Sequence, residues 1–183
     1  MNIPVSDFFK SQLHTQVTLP MGWNKVDPEA LQDYSLHNLN IFNLWQNQAE
    51  HPVQHNDTFD KTSVGLVRIE HKLDLMINLF QQFLSQQTNI NLSLCTVLIG
   101  VTGIRWLISD NELQLGETLS ISLLLEASQS PICLYAKVIS LDHYNGKFLY
   151  TAEFMEQSDL VNELMEKWIF NLHRREIANL RQK

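Results

Sequence analysis

Cysteine is scarce in this chain. Cys95 and Cys133 are its only two among 183 residues, and neither has metal-ligand spacing. Both sit in apolar, strand-like runs and read as free thiols of a reducing compartment. Glycine (six) and proline (five) are sparse too, so each one marks a definite bend or stop. No Walker loop, dinucleotide-binding glycine pattern, Gly-x-Ser-x-Gly or His-Glu-x-x-His occurs, which removes the usual enzyme classes. Long apolar runs are absent as well. Nothing approaches the ~20 residues that cross a bilayer, and MNIPVSDFFK lacks the basic start and apolar core of a signal peptide. A cytoplasmic, soluble protein is expected. Positive charge is also short: the net charge is −7, which argues against a nucleic-acid partner. Arg174, Arg175, Arg181 and Lys183 concentrate near the C-terminus beside Glu176, where they suit a helix dipole.

Hydrophobic residues make up 44% of the chain, enough for a real core. They fall into three zones. Residues 1–62 are polar and read as an N-terminal extension with a helix or a broken helix pair. Asp27-Pro28-Glu29 is its start signal, and Leu31, Tyr34, Leu39, Phe42 and Trp45 line one side at partly helical spacing. Residues 63–85 form a helix on which Leu66, Ile69, Leu73, Met76, Phe80 and Phe83 alternate spacings of three and four. That is a heptad stripe, which predicts self-assembly.

Residues 90–183 carry about five β segments and a last helix. Leu92–Ile99, Gly103–Ile108, Thr118–Glu126, Ile132–Leu141 and Lys147–Met155 are the strand runs, with Asn145-Gly146 a strong hairpin turn. Ser158 is the expected cap of a helix running to Arg181. The fold class is α+β: an antiparallel barrel between a long heptad helix and a C-terminal helix.

Among candidate sites, His51, His55 and Asp57 are broken by Pro52, and the His71–Asp74 pair has no third catalytic partner. Neither supports a metal or an enzyme. Arg105, next to Trp106, is the best candidate ligand contact. Its bland reading is a solvent-facing residue between inward Ile104 and Trp106.

Leu98–Ile108, LIGVTGIRWLI, places Gly100 and Gly103 where backbone must bend or approach something closely. With the preceding heptad helix and the strands that follow, this stretch resembles the atypical, tetramer-forming branch of the PilZ family of cyclic di-GMP signalling. In that family, Arg-x-x-x-Arg precedes Asp/Asn-x-Ser-x-x-Gly. Gly103 matches the last glycine, while Gly100 and Leu98 stand at the serine and Asp/Asn positions. No arginine lies between Arg68 and Arg105, so the planar donors that grip phosphate and guanine are missing. The resemblance therefore implies a PilZ-like barrel and a homo-oligomeric adaptor, a tetramer by the branch's habit. It would be non-enzymatic, need no cofactor and act on other signalling proteins in motility, pili, biofilm or virulence. The alternative it implies is a cyclic di-GMP receptor using non-standard residues, Arg105 and Gly103 first among them.

Overall fold

A computed structural model describes residues 3–50, 91–126 and 130–181, together with Leu73. Six strands close into an antiparallel barrel: β1 (His14–Lys25), β2 (Ser93–Gly100), β3 (Gly103–Ile108), β4 (Thr118–Leu123), β5 (Ile132–Tyr144) and β6 (Lys147–Phe154). Their order around the barrel is β1-β2-β3-β6-β5-β4.

The expected barrel of about five strands from residues 90–183 is thus one strand short. The missing strand, β1, comes from the zone read as a helical extension. Its signal is an alternation of Val17, Leu19, Met21 and Trp23 that Pro20 and Gly22 interrupt. Those two residues sit where the strand changes partner. His14–Met21 pairs with β2, Met21–Lys25 pairs with β4, and Met21 is shared. One long strand thereby closes the cylinder, which leaves no open edge.

Local sequence explains the other elements. The β5–β6 hairpin turns on Asn145 and Gly146, whose φ values of 51° and 74° are both positive as a tight hairpin turn requires. Asp27 does cap a helical start, accepting from the Glu29 amide at 3.0 Å, but the turn it opens is a 3₁₀ segment of three residues, Pro28–Ala30. The α-helix proper, α2 (Ser35–Glu50), restarts after Asp33 accepts from the Ser35 amide at 2.9 Å. A single turn, α1 (Asp7–Lys10), precedes β1. The C-terminal helix, α3 (Asp159–Arg181), begins at the expected Ser158 cap.

Strand alternation sorts side chains by face. Val97, Ile99, Ile104, Trp106, Leu119, Ile121, Leu134, Ala136, Tyr150 and Ala152 fill the interior. Ile41, Phe42 and Trp45 of α2, with Val161, Met165, Trp168 and Ile169 of α3, join the same core. Phe42 and Trp168 meet edge-on with ring centres 6.5 Å apart. Asn38 ties α2 to β5, donating to the Cys133 carbonyl at 2.7 Å and accepting from its amide at 2.9 Å. Cys133 is buried and Cys95 partly buried, and both are free thiols. Burial pushes the Cys133 thiol above its ordinary range. Among the described residues, no helix is long and apolar enough to cross a membrane.

Candidate functional site

The outer face of β2, β3 and β6 carries the residues singled out from the sequence. Opposite the core-facing Ile104 and Trp106, the outward positions of β3 are Gly103, Arg105 and Leu107. Cross-strand pairing sets Leu98 beside Arg105, and Arg105 beside Thr151. Thr151 in turn pairs with Ser140 of β5, just past an irregularity at Val138/Ser140.

Outward does not mean solvated here. Arg105 is only 4% exposed, whereas alternation alone predicts a solvent-facing side chain. The reason lies in residues 3–12, which fold back over this face. Ile3 and Phe9 are buried in a small cluster with Leu98 and Leu149, separate from the main core, and Phe8, Leu107 and Tyr144 pack against it. Phe8 and Phe9 stack edge-to-face with ring centres 5.0 Å apart.

Both glycines are sites of close approach. A Cβ on Gly103 would lie 2.5 Å from the Ala152 carbonyl oxygen and 2.7 Å from the Phe8 ring. A Cβ on Gly100 would lie 2.7 Å from the Gln12 side-chain oxygen. That oxygen accepts from the Thr102 amide at 3.1 Å and the Thr102 hydroxyl at 2.7 Å, while Gln12 Nε2 donates to the Phe8 carbonyl at 3.1 Å. Gln12 therefore latches the segment onto the β2–β3 turn. The Ile3 amide adds a bond to Gln16 Oε1 at 2.8 Å.

Under this cover, Arg105 Nη2 donates to Asp142 Oδ2 at 2.5 Å. Asp142 is half exposed and also accepts from the Ser140 hydroxyl at 3.0 Å. Burial lowers the Arg105 pKa from its ordinary value, and the Asp142 charge opposes that shift. Arg105 Nε and Thr151 Oγ1 are buried with no hydrogen-bond partner among the described residues.

Leu66, Ile69, Met76, Phe80 and Phe83 lie outside the described residues, as do His51, His55, Asp57, His71 and Asp74. Leu73 is helical and 53% exposed. Two of the C-terminal arginines have local partners: Arg175 pairs with Glu126, and Arg174 stands over the Phe170 ring, 5.9 Å from its centre. Among the described residues, no three His, Cys, Asp or Glu side chains group as a metal site.

Sequence reasoning placed Leu98, Gly100, Gly103 and Arg105 on one stretch but missed Ile3, Phe8, Phe9 and Gln12. A signal was present: Phe8-Phe9 is an aromatic pair close behind Ile3 and Val5, and such a pair needs cover.

Comparison with known proteins places this geometry. A family model described as atypical PilZ domain, cyclic di-GMP receptor, matches residues 45–182. The chain is similar to a solved tetrameric PilZ domain protein of Xanthomonas campestris that self-assembles through an unusual helical bundle. The identity is 22%, the TM-score is 0.72, and 93% of each chain is covered. It is also similar, at 11% identity and a TM-score of 0.47, to the motility inhibitor MotI/DgrA of Bacillus subtilis, covering 92% of this chain and 52% of that one. No curated protein matches the chain.

Proposed function

The chain belongs to the atypical PilZ domain family, and from that premise we propose that it is a self-assembling, non-catalytic adaptor in cyclic di-GMP-linked signalling. It acts in the cytoplasm through contacts with other signalling proteins, in the control of motility, pili, biofilm or virulence. The observation that carries this reading is the filled outer face. At the family's Asp/Asn and serine positions stand Leu98 and Gly100, and Ile3, Phe9 and Gln12 of the same chain occupy the space above them. A guanine base finds neither the carboxylate or amide nor the hydroxyl that the family's motif supplies at these two positions, and no room to enter. Calorimetric titration of the full chain with cyclic di-GMP is expected to give no binding in the micromolar range. A micromolar or tighter Kd overturns the adaptor reading.

Assembly follows from the heptad stripe Leu66, Ile69, Leu73, Met76, Phe80 and Phe83. Leu73, the member with a described side chain, leaves half its surface uncovered within one chain, as a position awaiting a partner helix does. The bundle of the Xanthomonas protein makes a tetramer the state to test. Leu73→Glu combined with Phe80→Glu is expected to lower the mass seen by light scattering, because each charge would lose apolar burial and face its own like in the bundle. A wild-type monomer in the same measurement removes self-assembly.

A second reading, a receptor using non-standard residues, draws support from one detail. Arg105 is a buried cation that keeps a free donor, Nε. Should the full chain bind cyclic di-GMP, Arg105→Ala is expected to abolish that binding, and unchanged affinity would clear Arg105 of the role.

A further inference from the structure

A buried guanidinium is seldom left with donors unused, because desolvating a charge costs several kcal/mol and each missing bond adds to that. Arg105 and Thr151 break this rule side by side. They are direct cross-strand partners on the same face, so their side chains start about 5 Å apart. The Nε–H of one and the hydroxyl of the other both lack a partner among the described residues, and both residues are at least nine-tenths buried. An oxygen seated between them would accept from both. Asp142 holds the charge balance meanwhile. Its carboxylate is half exposed, so water can take over its solvation if another anion displaces it.

What keeps such an anion out is the segment from Ile3 to Gln12. Its only helix is one turn, α1, too short to persist on its own. Its buried cluster is small and stands apart from the main core, and the Gln12 latch is a single side chain. Segments of this kind open at far lower free energy than a barrel does.

We propose that Arg105 and Thr151 form a latent oxyanion seat on the outer face of the barrel, that residues 3–12 cover it, and that a phosphate-bearing ligand takes it when the cover lifts. Neither residue stands at a position of the family's arginine or Asp/Asn-x-Ser-x-x-Gly motif, so the seat does not restore the lost pocket. It rests on the reading above of a PilZ protein whose motif face is self-covered, and it adds a way for that state to change. The pairing suits phosphate because a guanidinium edge and a hydroxyl are matched donors for its oxygens.

The test loosens the cover and keeps the barrel. Phe9→Ala with Gln12→Ala is titrated calorimetrically beside the full chain, first with cyclic di-GMP and then with inorganic phosphate; circular dichroism verifies the fold. Gln12→Ala alone, which removes only the latch, serves if the double variant does not fold. We expect the loosened chain to bind cyclic di-GMP at least tenfold more tightly than the full chain. Adding Arg105→Met or the near-isosteric Thr151→Val should cancel that gain. An equal, Arg105-dependent gain with inorganic phosphate also supports the seat and names free phosphate as its ligand. A folded, loosened chain that binds neither probe better, or a gain that survives Arg105→Met, overturns the seat while the adaptor reading stands. Micromolar binding by the full chain with no gain on loosening overturns the cover and the adaptor reading together.

Discussion

Gly103→Val is expected to destabilise the protein by about 3 kcal/mol, the upper part of the range for forced overpacking, and to lower Tm by roughly 9 °C for a chain of this size. The clash is with backbone. A Cβ at this position lies 2.5 Å from the Ala152 carbonyl oxygen, and Ala152 is held opposite Ile104 in the β3–β6 ladder. That oxygen cannot retreat without opening the ladder. On the other side the added methyl groups meet Phe8, so the cover must lift as well. Gly116→Ala supplies the comparison. Its φ of +86° strains any L-residue, yet nothing lies within 4 Å of the added Cβ, and the expected loss is about 1 kcal/mol. Urea unfolding of the two variants checks the ranking. Equal losses would mean that Ala152 and Phe8 give way and that close approach does not require glycine at 103.

The second large effect is expected from Asp142→Ala. It removes the carboxylate that neutralises Arg105, whose side chain is 5% exposed, while Asp142 itself is 52% exposed. Breaking a fully buried pair typically costs 3–5 kcal/mol; with one partner half in water, about 2 kcal/mol is expected here. Arg105→Met added to Asp142→Ala should recover most of that loss, because the stranded charge is then gone and a flexible apolar chain fills the space. A double variant as unstable as Asp142→Ala alone would mean that the aspartate acts through Ser140 and the strand irregularity beside it. Thermal melts of the three proteins separate these outcomes.

The contrast between β1 and β6 shows what the sequence makes legible. Lys147–Phe154 follows an Asn-Gly turn and was readable at once, because turn chemistry acts between neighbours. His14–Lys25 was hidden, because Pro20 and Gly22 blur its alternation and its partners, β2 and β4, lie far along the chain. The same distinction governs the site. Gly100 and Gly103 announced close approach on their own, since only a missing side chain can do so. What they approach, Gln12 and Phe8, is set by tertiary folding alone. Arg105 followed suit: alternation correctly put it opposite Trp106, but exposure depends on whatever else lies on that face. The Ser158 cap is legible for the opposite reason, being fixed within a few residues.

The double pairing of β1 also bears on how the protein comes into being. β1 is synthesised before any strand it will bind, and its two ladders join residues as distant as His14 with Gly100 and Lys25 with Leu119. Contacts of such long range make closure slow, because the intervening chain must first give up its freedom. During translation the first half of β1 therefore has no partner until β2 leaves the ribosome, and Met21–Lys25 has none until β4 follows. That interval is when the nascent chain is most exposed to misassociation and most in need of a chaperone.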